Sequence, residues 1–188
     1  MKNLALFLCA GLLLWSACQN DDPAPPVFEN ELRYDGPNLT GPVLAAGEYE
    51  AAVRFSAGYL DNYDGRELTA VQFFLGQLPA GCELRIYEGT TGGDAPATLL
   101  ASFDLSAQVQ APAWNRFPLP NPVVIGPRDL WLSVALTHTQ QQQSIGCDAG
   151  PNQIDGDWLF TTADGQWRPY TERTPESINW NIRGELAE

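Results

Sequence analysis

The sequence predicts an all-β fold, an antiparallel two-sheet sandwich of jelly-roll type. Three observations predict it. Apolar and polar residues alternate with period two in segment after segment. Clusters of Gly, Pro, Asn and Asp separate these segments at short spacing. No stretch of convincing length shows the 3.6-residue period of an amphipathic helix.

The elements follow in chain order. Tyr49, Ala51, Val53 and Phe55 share one face of a strand, with Glu48, Glu50 and Arg54 opposite. Val71 to Leu75 is apolar on both faces, as in a central strand. Leu84 and Ile86 alternate with Glu83, Arg85 and Tyr87, and Cys82 falls on the Leu84 face. Shorter strands are expected over Thr98 to Phe103, Trp114 to Leu119, Val123 to Ile125 and Asp157 to Thr162. Leu130, Leu132, Val134 and Leu136 alternate with Asp129, Trp131, Ser133 and Thr137. Ile178, Trp180 and Ile182 alternate with Asn179, Asn181 and Arg183. Turns are expected at Asp64-Gly65, Thr91 to Asp94, Pro120-Asn121-Pro122, Gly126-Pro127 and Asp164-Gly165. About nine strands of this kind make two sheets.

The chain of 188 residues has the length of one ordinary domain. A hydrophobic content of 44% with 18% charged residues is that of a globular chain. The net charge of -13 argues against nucleic acid as a partner, because phosphate binding needs a basic surface.

The first residues read as an address. Lys2 precedes an apolar run from Leu4 to Trp15, shorter than the ~20 residues of a bilayer span and suited to a secretory signal. Trp15-Ser16-Ala17-Cys18 resembles a bacterial lipobox, with Trp15 where leucine is usual. Residues 1–17 are thus expected to be a lipoprotein signal peptide and Cys18 the lipidated residue; the alternative is an ordinary signal peptide cut near Ala17. Residues 18–30 form an acidic, proline-rich tether and 31–188 the sandwich. An acidic stretch behind the cysteine resembles the surface-export signal of Bacteroidota-type lipoproteins, and implies an exported outer-membrane lipoprotein facing the exterior. The partner expected first is therefore a membrane, through the lipid anchor. With Cys9 in the leader and Cys18 lipidated, Cys82 and Cys147 are expected to form a disulfide, which contributes roughly 4 kcal/mol in the chain-entropy model. Two cysteines alone do not make a zinc site.

Several segments in order resemble the β-sandwich modules of secreted Bacteroidota proteins, akin to the cleaved-adhesin domains of gingipain-type proteases. They are Glu50 to Phe55, Leu84 to Gly89, Trp114-Asn115 with Phe117-Pro118-Leu119, and Asp129 to Leu132. Cys147 to Pro151 leading into Gly156-Asp157-Trp158, and Asn179 to Gly184, complete the set, from about residue 31 to the end. The resemblance implies a jelly roll with an adhesive or accessory role at the cell surface. Such modules usually sit beside a protease or a sorting tail, whereas here the module is expected to stand alone behind its anchor.

Three chemistries are candidates. Asp148, Asn152, Asp155 and Asp157 concentrate oxygen ligands on one bent loop, as calcium requires; the resembled domains often bind calcium. The alternative is a polar loop whose aspartates make turns. Asp61 to Gly65 is a second, lesser loop of this kind. Trp131, Trp167 and Tyr63 are candidates for a ligand-stacking platform, while Trp180 belongs to the core. Trp131 lies opposite the Leu130 face, so it is on the outer sheet surface or under a loop. His138 is the one possible histidine base, and Ser133 or Ser144 would have to approach it. No nucleophile elbow and no phosphate-binding glycine loop occurs, so no catalytic residue is assigned. The expected function is a non-enzymatic surface module for a glycan, a matrix protein or a neighbouring surface protein. Alternatives are a structural subunit of a surface complex, or a glycoside hydrolase or lyase working through paired carboxylates.

Overall fold

The alternating runs become strands whose apolar faces meet across a single interior. The computed structural model describes residues 26–188. The strands are β1 (Glu31–Leu32), β2 (Gly47–Phe55), β3 (Glu67–Leu75), β4 (Gly81–Gly89), β5 (Pro96–Asp104), β6 (Ala113–Val124), β7 (Leu130–His138), β8 (Trp158–Thr161), β9 (Gln166–Pro169) and β10 (Ile182–Leu186). They form a smaller sheet of four strands, β1-β10-β3-β6, and a larger sheet of six, β5-β4-β7-β2-β8-β9. Every pairing is antiparallel. The chain crosses between the sheets repeatedly, at β1–β2, β2–β3, β3–β4, β5–β6, β6–β7 and β9–β10. This is the expected antiparallel sandwich.

The centre of the larger sheet follows the predicted parity. Val53, Leu84, Leu132 and Val134 face inward and are fully buried. From the smaller sheet, Val71, Phe73 and Ile182 meet them in the same core. Trp180 is also fully buried there, and its indole N–H donates to the Trp158 carbonyl at 2.9 Å. One short helix, α1 (Ala57–Leu60), follows β2 and is capped by the Ser56 hydroxyl.

Four features differ from the sequence reading. Trp114–Leu119 and Val123–Ile125 are not separated by a turn: β6 runs through Pro120-Asn121-Pro122 as one strand. It can do so because it is the outer strand of the smaller sheet, where a missing N–H breaks no ladder on the free side. A register shift at Leu68/Ala70 on β3 absorbs the irregularity. β1 and β9 were not foreseen, being two and four residues long. The last strand starts at Ile182 rather than Ile178, and Asn179 and Asn181 are buried instead of facing water. Residues 26–30 are docked rather than a free tether: Tyr59 Oη donates to the Pro26 carbonyl and Tyr63 Oη to that of Phe28, at 3.2 and 2.8 Å. The signal peptide, Cys18 and tether residues 18–25 lie outside the described residues.

The expected Cys82–Cys147 bridge is not made; both are free, buried thiols. Cys82 belongs to β4, opposite Leu136 of the larger sheet. Cys147 sits in a connection bridged to Thr40 and to Trp180, beside the smaller sheet. Sheets about 10 Å apart allow a bridge only where the two Cβ vectors converge. Burial pushes each thiol up to about 12, so neither holds a thiolate at neutral pH. Alkylation in native buffer followed by peptide mapping is expected to leave both unlabelled. The same reagent after denaturant, without reductant, should label both.

Candidate functional site

Strand parity sends one set of side chains to the outer face of the larger sheet, and register arranges them in rows across it. One row runs Asp104, Glu83, Ala135, Glu50, Phe160, Trp167, from β5 through β4, β7, β2 and β8 to β9. The next runs Ser102, Arg85, Ser133, Ala52, Trp158. A third places Tyr87 and Arg54 on either side of Trp131. Large side chains fill one end of this face, and small ones leave the other end open.

At the filled end, Trp131 is fully buried in a cluster with Ala52 and Trp158. The Trp158 and Trp167 rings lie over it at 5.1 and 5.6 Å. Arg54 reaches Asp155 at 2.7 Å and lies 3.9 Å from Asp129. Asp129 also accepts from the Ala57 and Gly92 amides, at 2.8 and 3.1 Å. Gly89 is required here, because a Cβ would stand 2.6 Å from Trp131 Nε1. Trp131 is thus no ligand-stacking surface: the β8–β9 hairpin folds over it. Tyr63 is likewise removed from the platform, being 2% exposed and packed in the core. Trp167 stays half-buried, between Trp131 and Phe160.

At the open end lies a groove of about 510 Å³. Its floor is Gly81, Ala135 and Thr137; one wall holds Glu48 and Phe160, the other Glu83, Arg85 and Asp104. Glu50, 5% exposed, is held by three donors: Arg85 at 2.7 Å, Tyr87 at 2.9 Å and Ser133 at 2.5 Å. Arg85 donates its other terminal nitrogen to Glu83 at 2.6 Å, and Ser102 donates to the second oxygen of Glu83. The Arg85 guanidinium and the Ser102 hydroxyl hold the Glu83 carboxyl below its ordinary range. The Ser106 hydroxyl and amide do the same for Asp104. Phe160 packs on Trp167 at 5.6 Å, which steadies its ring at the wall. Fixed charges, hydroxyls and one ring in an open groove can hold a polyhydroxylated ligand.

The other predicted sites divide differently. Asp148 accepts from the Gly36, Gly150 and Asn179 amides and from the Asn179 side chain, at 2.8–2.9 Å. Asp155 is committed to Arg54 and to the Trp158 indole, and takes a left-handed φ of 74°. Asp157 accepts from the Thr171 amide at 2.9 Å, and burial raises its carboxyl. Asn152 is tied to Ser177. Among the described residues no three carboxylate, histidine or cysteine groups come together as a metal-holding cluster. Asp148 and Asp157 hold backbone amides and Asp155 holds two side chains, so these oxygens do not converge as a calcium cage would need. His138 is buried against Tyr49, its ring 5.3 Å away, and neither ring nitrogen has a hydrogen-bond partner among the described residues. Ser133 bonds to Glu50, and Ser144 accepts from Gln142, so neither serine engages His138.

Sequence reasoning passed over Glu50, Glu83, Arg85, Asp104 and Phe160 as site residues. Their signal was the charged outer parity of β2 and β4, which looks like any solvated face until register joins the strands.

No protein-family model and no curated protein matches the chain. Two solved structures are similar to it. One is the clostridial cysteine protease Cwp84 after propeptide cleavage, at 16% identity and TM-score 0.50. The match covers 77% of this chain and 37% of that one. The other contains the cysteine protease and lectin-like domains of Cwp84, a surface layer associated protein of Clostridium difficile. It matches at 16% identity and TM-score 0.47, over 76% of this chain and 32% of that one. The chain therefore spans about a third of the length of these proteins. At this identity the first likeness shows a shared sandwich fold.

Proposed function

We propose that this sandwich is a non-enzymatic binding module, exported and anchored through Cys18, whose larger-sheet groove holds a saccharide. The observation that carries the reading is the row Asp104, Glu83, Ala135, Glu50, Phe160. It sets hydrogen-bonding groups on both sides of a small-residue floor, with an aromatic ring at one wall. Sugars are held by such combinations, hydroxyls by fixed polar groups and the ring face by an aromatic. Binding rather than hydrolysis is favoured by two carboxyls of the groove wall, Glu83 and Asp104. A glycosidase needs a carboxyl held protonated near neutral pH, and Glu83 and Asp104 are both shifted the other way. The apolar leader and the Ser16-Ala17-Cys18 sequence support export and lipidation.

The test is a glycan array probed with the purified full chain, with calcium and again with chelator. A hit is then titrated against Glu83→Gln and Phe160→Ala variants of confirmed fold. Each substitution is expected to weaken binding about tenfold or more, and chelator to leave it unchanged. Affinity indifferent to both substitutions would place the ligand elsewhere. Release of reducing sugar by the pure protein would make it a hydrolase.

A further inference from the structure

The groove has a charge balance that its own residues do not close. Its single cation, Arg85, is committed to Glu50 and Glu83, at 2.7 and 2.6 Å. Two further carboxylates, Glu48 and Asp104, stand on opposite walls. Among the described residues neither forms an ion pair. Among the described residues Asp104 accepts from the Ser106 hydroxyl and amide, at 2.7 and 3.0 Å, and is otherwise open to solvent. Four carboxylates thus line an open cavity against one guanidinium that is already paired with two of them. The remaining ring, Phe160, offers a π-face that favours a cation as well as a sugar face.

We infer that the saccharide preferred by this groove carries a free amine, and that uronic, sialic and sulfated sugars are excluded from it. The inference rests on reading the groove as a saccharide site. An ammonium group on a sugar ring packed on Phe160 would meet the Glu48 carboxylate on the same wall, and one on a ring further along the groove would meet Asp104. An anionic group in either place would face a like charge with no counter-ion beside it, which acts as a specificity device. A neutral hydroxyl gains hydrogen bonds but no charge pairing. Glu50 adds to the selectivity from below: its buried carboxylate is anchored by Arg85, Tyr87 and Ser133, so it does not swing away to relieve repulsion.

The experiment is calorimetric titration of the full chain with three oligosaccharides of equal length: β-1,4-linked glucosamine, its N-acetylated counterpart, and a β-1,4-linked uronate. The glucosamine oligomer is expected to bind at least about tenfold tighter than the N-acetylated one. The uronate is expected to give no heat. Raising the salt should shrink the preference, because the rim charges are screened. The double variant Glu48→Gln, Asp104→Asn should abolish it while weak binding of the N-acetylated oligomer persists. Equal or tighter binding of the N-acetylated oligomer, lost in Phe160→Ala, would overturn the amine preference and leave the saccharide site standing. Tighter binding of the uronate would overturn it in the same way. Binding of none of the three, or binding unmoved by every groove variant, would overturn both. A free amine that competes without the sugar, tested with a linear polyamine, would show that charge alone is recognised and would sink the saccharide reading.

Discussion

Replacing Arg54 with alanine will lower the unfolding free energy by about 3–5 kcal/mol. The reason is what the side chain leaves behind. Asp129 has no exposed side-chain surface and Asp155 only 7%, and Arg54 is the cation between them. Without it two buried carboxylates face each other's field with hydrogen bonds but no counter-charge. The guanidinium also lies 5.5 Å from the Trp158 ring and 5.8 Å from that of Trp131, so its removal opens space above the sheet. Lysine at this position should recover part of the loss, since a point charge replaces the fork that reaches Asp155 and the Gly93 carbonyl together. Urea unfolding of the three proteins measures this, and the loss should change little with salt because the pair is dry. A loss below about 1 kcal/mol, the worth of an exposed pair, would mean that water reaches the cluster.

Asp148→Ala is the second large effect, about 3 kcal/mol or more. One buried carboxylate receives four donors from three separated segments, at Gly36, Gly150 and Asn179. Deleting it strands those donors in a place where the backbone has no other partner. Asp148→Asn should fall between, because the amide keeps one acceptor oxygen but turns a donor toward N–H groups. Thermal unfolding with and without millimolar calcium checks both the size and the cause. The loss is expected to be identical in the two conditions; a wild-type protein stabilised by calcium and a variant that is not would restore the metal site.

Much of this architecture was legible beforehand. The parity of β2, β4 and β7 was readable because one face of each must be apolar to be buried. Trp131 was placed on the outer face by the same rule, and it is there, but parity does not tell what lies over a sheet. The cover is the β8–β9 hairpin, whose Trp158 and Trp167 rings come from almost thirty residues downstream or more. Tyr63 was misread for a related reason: a turn flanked by Asp61-Asn62 and Asp64-Gly65 looks exposed, yet its ring turns into the core and binds the Phe28 carbonyl. The aspartates from 148 to 157 form the dense oxygen group that the sequence suggests, but most of their partners, among them Gly36, Thr171 and Asn179, are distant donors that it does not reveal.

The sequence by itself determined the sandwich, because alternation and turn chemistry are local properties that leave a strand one way to bury its apolar side. It also carried the acidity that bears on partners, since charge is a sum over residues and needs no fold. Only the tertiary structure decided which outward-facing residues become neighbours. Asp104, Glu83, Ala135, Glu50 and Phe160 come from five strands, and their row exists only through hydrogen-bond register between them. Register was the decisive quantity: it put small residues at one end of the outer face and tryptophans at the other, leaving a groove where the side chains are short. The same dependence on distance decided the cysteines, since a bond between Cys82 and Cys147 needs two converging Cβ vectors and the fold sets them in separate layers.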